Sequence, residues 1–64
     1  MKNLNDYKNI SGDVWGIFKK YMDDDADLTE FVVDVADLGR KYGSDMFMKK
    51  LAKVYFDELN EIKG

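Results

Sequence analysis

The sequence predicts an all-α protein, an antiparallel three-helix bundle preceded by a short N-terminal arm. Apolar residues recur at spacings of three and four along three separate stretches. Short polar connections rich in Asp, Gly and Ser divide those stretches, and no proline interrupts them. Two short connections between three amphipathic helices make neighbours antiparallel.

Residues 1–10 are polar apart from Leu4, Tyr7 and Ile10, spaced by three, and read as an arm or an extra helical turn. Ser11-Gly12-Asp13 is a start signal, with Ser11 as N-cap and Asp13 near the positive helix end. Val14, Trp15, Phe18, Tyr21 and Met22 follow at helical spacing and Ile17 widens their face, giving a first helix over about 12–23. The second helix, about 27–42, takes Asp25 or Asp27 as its cap. Its stripe is Leu28, Phe31, Val32, Val35, Leu38, Gly39 and Tyr42, with Glu30, Asp34, Asp37 and Lys41 opposite. Arg40 and Lys41 complement the dipole in the last turn, and Gly43 suits a left-handed terminator. A mid-helix glycine costs about 1 kcal/mol against alanine, so Gly39 reads as a point where another helix crosses closely. Ser44 or Asp45 caps the third helix, about 45–62. Phe47, Met48, Leu51, Tyr55, Leu59 and Ile62 form its stripe, while Lys49, Lys50, Lys53, Asp57, Asn60 and Glu61 face away.

Composition narrows the function. Sixty-four residues make one domain, a size at which only about 60% of the unfolded surface is buried. Cysteine and histidine are both absent. Disulfides and thiolate or imidazole metal sites are therefore excluded, and general acid–base catalysis lacks its usual residue. Ser11 and Ser44 have no base beside them and read as caps. Among the carboxylates only Glu58 projects toward an apolar stripe, where it reads as a boundary residue. The expectation is no enzyme: no catalytic residue, no cofactor and no metal. A net charge of −3 disfavours a general duplex-DNA binder, although Lys19, Lys20, Lys49, Lys50 and Lys53 offer a small basic face. The would-be recognition helix opens Asp45-Met46-Phe47-Met48 rather than with base-reading side chains. No apolar leader follows Met1 and no stretch has the length of a membrane span, so a cytoplasmic protein is expected.

Several large apolar residues fall off the stripes. Val33 lies on the polar side of the second helix, Met46 among the lysines of the third, Phe56 at its polar boundary, and Trp15 and Ile17 at opposite edges of the first. They are either half-buried boundary residues or a contiguous patch for a partner protein or a second copy. The acidic run is the other conspicuous feature: Asp23, Asp24, Asp25, Asp27, Glu30, Asp34 and Asp37 occur between Tyr21 and Gly39 with no basic residue among them. Asp23, Asp25, Asp27 and Asp34 occupy positions of a calcium loop. The match fails at Leu28, which replaces the required glycine, and at Asp34, shorter than the bidentate glutamate. The run reads as helix-capping charge, or as an acidic surface that steers a basic partner.

Asp13-Val14-Trp15-Gly16-Ile17-Phe18-Lys19-Lys20-Tyr21, the acidic turn, Arg40-Lys41-Tyr42-Gly43, Phe47 and Asp57-Glu58-Leu59 resemble, in that order, small uncharacterised helical proteins of Firmicutes phages and prophages. Leu28-Thr29-Glu30-Phe31 departs from the tryptophan-containing aromatic pair those proteins tend to carry there. The resemblance implies a phage or mobile-element accessory protein in a bacterial host cell, and it carries no catalytic residues across. Together these observations lead to the expectation of a non-enzymatic module that binds and modulates a host protein, such as a defence component. A self-associating homodimer and a small DNA-binding regulator are the alternatives.

Overall fold

The computed structural model describes residues 2–23 and 27–63. It contains three helices, α1 (Leu4–Asp23), α2 (Leu28–Tyr42) and α3 (Met46–Lys63), and all three pairs are in contact. Tyr7 meets Phe47 and Trp15 meets Tyr55, so α1 and α3 run in the same direction. Tyr21 meets Phe31 while Asp13 meets Tyr42, so α2 runs against both. The result is an antiparallel three-helix bundle.

Of the two readings of residues 1–10, an arm or an extra helical turn, the helical one holds from Leu4 onward. α1 begins at Leu4 rather than near Gly12 because Asn3 and Asp6 cap it reciprocally. The Asp6 N–H donates to Asn3 Oδ1 at 2.9 Å, and the Asn3 N–H donates to Asp6 Oδ2 at 3.1 Å. Two backbone donors that a helix start leaves open are thus satisfied. Ile10 is then 2% exposed, packed with Val14, Met48 and Ala52. Ser11, read as an N-cap, lies inside the helix. Burial of Ile10 and a cap three residues long outweigh the modest cost of Ser11-Gly12 within a helix.

Of the alternatives at the other two starts, the aspartates act. Asp27 accepts from the Thr29 N–H at 3.1 Å, and Asp45 accepts from the Met48 N–H at 3.0 Å. Gly43 ends α2 in the left-handed region at φ 65°, and the Ser44 N–H donates to the Gly39 carbonyl at 2.8 Å. That six-residue bond ties off a carbonyl at the helix end. Asp24 and Asp25 lie outside the described residues.

The core has two linked halves. Ile10, Val14, Met48 and Ala52 fill one, Tyr21, Phe31 and Leu59 the other, and Val35 and Tyr55 touch both. Gly39 is buried on the α3 side, but a methyl group built there meets only Met48 Cε, at 3.7 Å, an ordinary contact. The close crossing expected at this glycine is therefore absent, and the helix has room for alanine.

Gly39→Ala is accordingly expected to stabilise the protein by about 0.5–1 kcal/mol, read as a higher urea midpoint at unchanged slope. Asn3→Ala is expected to cost about 1 kcal/mol; an unchanged midpoint would show that α1 does not depend on this cap.

Candidate protein-interaction face

Each of the three grooves between helices has its own chemistry. Between α1 and α2, two clasps of one design face each other. Lys20-Tyr21 at the end of α1 brackets Asp34 of α2: the Tyr21 hydroxyl donates to Asp34 Oδ2 at 2.7 Å and the Lys20 ammonium at 3.2 Å. Lys41-Tyr42 at the end of α2 brackets Asp13 of α1, through the Tyr42 hydroxyl and through the Lys41 ammonium at 3.1 Å. Each lysine also lies over the ring of its neighbouring tyrosine, 5.2 Å from the centroid in both cases. The tyrosine hydrogen bond, reinforced by the lysine, holds Asp34 below the usual carboxylate range, and its counterpart does the same for Asp13. Their own hydrogen bonds to Asp13 raise the Tyr42 hydroxyl and the Lys41 ammonium. Between the clasps runs a shallow groove floored by Gly16, Ile17 and Leu38.

The acidic surface is thus largely engaged within the chain. Asp34 is held in a clasp, Asp37 pairs with Arg40, and Asp27 caps α2. Of the described residues in the run, Asp23 and Glu30 remain as exposed carboxylates without an ion pair. Asp34 is engaged by Tyr21 and Lys20 of α1.

The lysines proposed as one basic face are dispersed. Lys20 belongs to the α1/α2 clasp, Lys53 pairs with Asp57 of its own helix at 3.0 Å, and Lys49 and Lys53 border the α2/α3 groove. That groove is apolar, lined by Phe31, Val32, Val35, Ala52 and Phe56.

The off-stripe residues are likewise distributed rather than contiguous. Ile17 is half-buried at the α1/α2 groove, and Phe56 is half-buried in the α2/α3 groove against Phe31, ring centroids 5.7 Å apart. Val33 and Met46 are exposed on the outer poles of α2 and α3, away from the core. Trp15 alone lies on the third groove, between α1 and α3, and this groove concentrates the exposed apolar surface. Leu4, Tyr7, Trp15 and Met22 of α1 and Val54 and Ile62 of α3 all open onto it; they are six of the nine large apolar residues exposed among those described. Trp15 is 52% exposed and Val54 57%, yet Trp15 is held in place. Trp15 packs 5.6 Å from Phe18 and 6.2 Å from Tyr55, and Phe18 stacks on Tyr55 at 4.5 Å. A rigid aromatic floor carries an apolar rim.

Sequence reasoning identified Trp15 here and missed its neighbours. The signal was present: Leu4, Tyr7, Ser11, Trp15, Phe18 and Met22 follow one another by 3, 4, 4, 3 and 4 residues, a heptad seam. Placing a helix start at Ser11 cut that seam in two. Glu58, expected on the apolar side of α3, does lie on this flank but is exposed, so it is a solvated charge beside the seam. No helix among the described residues is long and apolar enough to cross a membrane. No protein-family model, curated protein or solved structure matches the chain.

The clasps generate a pH dependence. Asp13 and Asp34 have folded pKa values below their unfolded value of about 3.9, so their stabilisation is complete above that pH and is lost as pH falls through it toward the folded value. Both side chains are partly open to solvent, which keeps the effect modest. Urea midpoints should fall below about pH 4, with a shallower acid limb in the Asp13→Asn/Asp34→Asn double variant. An acid limb unchanged in that variant would show that other carboxylates carry it. Tyr21→Phe should cost about 1–2 kcal/mol at neutral pH.

Proposed function

We propose that this chain is a non-enzymatic protein-interaction module whose contact surface is the α1/α3 face. The observation that carries the reading is the seam itself, an apolar rim along two parallel helices on an immobilised aromatic floor. Contiguous exposed apolar surface of this kind marks association sites, and tryptophan and tyrosine dominate their energetics. The other grooves differ in chemistry: α1/α2 is lined by two charged clasps, and α2/α3 is bordered by Lys49 and Lys53. The phage-like resemblance adds the expectation that the chain works inside a bacterial cell.

A photo-cross-linking amino acid at position 15 or 54, in the full chain in its native cell, is expected to give an adduct of discrete mass. The same group at position 33, on the outer pole of α2, is the control and should give none. Absence of any adduct from 15 and 54, or equal yields from 33, would sink the reading.

A further inference from the structure

We infer that the occupant of the α1/α3 face is a second copy of this chain, packed face to face about a two-fold axis with its helices antiparallel to those of the first. The inference rests on the reading of this face as a protein-binding surface and names its partner. Charge placement along the seam carries it. Lys8, Lys19 and Asp23 flank the seam on α1, and Lys50, Glu58 and Glu61 flank it on α3; all six are exposed, and none makes an ion pair among the described residues. Lys8 with Asp23, and Lys50 with Glu61, form two pairs of opposite charge spaced along their helices.

The two pairs lie at similar heights along the bundle. Tyr55 packs against both Trp15 and Phe18, which puts residue 55 level with the turn of α1 from 15 to 18. Lys8 lies seven residues before Trp15 and Asp23 eight after; Lys50 lies five before Tyr55 and Glu61 six after. At a rise of about 1.5 Å per residue, the midpoints of the two pairs fall within about one helical turn of each other, close to Trp15. A two-fold axis there, lying in the plane of the face and perpendicular to the helices, sets α1 against α1 of the other copy and α3 against α3. It brings Lys8 opposite Asp23 and Lys50 opposite Glu61, each twice, which is how a self-complementary isologous contact is built. The other two-fold arrangement, with its axis along the helices, sets Lys50 against Lys8 and Glu61 against Asp23, like charges at two levels, with Lys19 against Glu58 as its single opposite pair. Trp15 then stands beside the axis, at the centre of the contact where hot spots cluster.

Area fits a reversible pair. The bundle measures 37 × 18 × 15 Å, so one long face gives each copy roughly 550 Å², near the lower bound for specific interfaces when both sides are counted. The expected dimer is therefore one that dissociates on dilution through the micromolar range.

Sedimentation velocity on the full chain, from micromolar to millimolar concentration, tests this with two charge reversals. Lys50→Glu puts carboxylates opposite each other at both symmetry-related positions, and Glu61→Lys does the same with ammonium groups. Each should weaken dimerisation about tenfold. A one-to-one mixture of the two variants should regain wild-type association, because the heterodimer restores opposite charges at both contacts. Neither change threatens the monomer: a carboxylate at position 50 sits one turn from Lys53, and an ammonium at position 61 one turn from Asp57. Val54→Glu should give a folded monomer throughout, by mass and circular dichroism. The proposal is overturned if the wild type stays monomeric to millimolar concentration, or if the mixture associates no better than its parents. A monomeric wild type whose position 15 still cross-links to a different protein overturns the dimer and leaves the interaction face standing. A monomer with no adduct at all overturns both.

Discussion

A phenol hydroxyl cannot be taken out of water without an acceptor, and Tyr21 is wholly buried at the end of α1. Its ring fills the lower core against Phe31, while its oxygen must meet a partner at the edge of that core. Asp34 supplies it from α2, and Lys20 balances the carboxylate. This requirement fixes the rotation of α2 about its axis. With Asp34 turned toward α1, Phe31, Val35 and Leu38 face the core and Val33 must face outward. The second clasp, Asp13 with Lys41 and Tyr42, repeats the constraint two turns higher and holds α2 antiparallel along α1. Neither clasp is a large stabiliser, being partly open to water. Their contribution is to tie α2 to α1 at two levels.

With α1 and α2 fixed in this way, the position of the leftover apolar surface follows. A bundle of this size cannot cover nine aromatic side chains with three short helices. The α1/α2 groove spends its rim on ion pairs, and Phe56 fills the α2/α3 groove from below. The surplus is forced onto the remaining groove, where Trp15, Phe18 and Tyr55 stack and Tyr7 meets Phe47 edge-on. Stacking there holds the rings in place and leaves their outer edges uncovered. A floor that is rigid before binding lowers the ordering cost of association.

Much of the fold was legible in the chain because periodicity is a local property. The stripes of the second and third helices, the terminator at Gly43 and the opposite-edge positions of Trp15 and Ile17 on the first helix all follow from spacing alone. The start of α1 was misread because Ser11-Gly12-Asp13 has every local mark of a cap. What overrides it is non-local: Ile10 has a place in the core only once α3 is present, as does Tyr7 against Phe47. Gly39 was misread for a related reason. Its presence on a stripe says that α3 is near, but not how near, and Met48 happens to leave a methyl group's width.

The off-stripe residues show the same division. Spacing told that Trp15, Ile17, Val33, Met46 and Phe56 do not belong to the stripes, since that depends only on angle about one helix axis. Their grouping depends on how three axes are arranged, and the arrangement sends them to different sides of the bundle. The acidic run, conspicuous as composition, dissolves for the same reason into a cap, a clasp and a pair with Arg40. The sequence by itself determined three amphipathic helices, their turns and an excess of aromatic surface, because each rests on contacts within a few residues. Only the tertiary structure decided which groove is lined by charged clasps and which carries the surplus apolar surface, because that depends on Asp13 meeting Tyr42 and Tyr21 meeting Asp34 across helices.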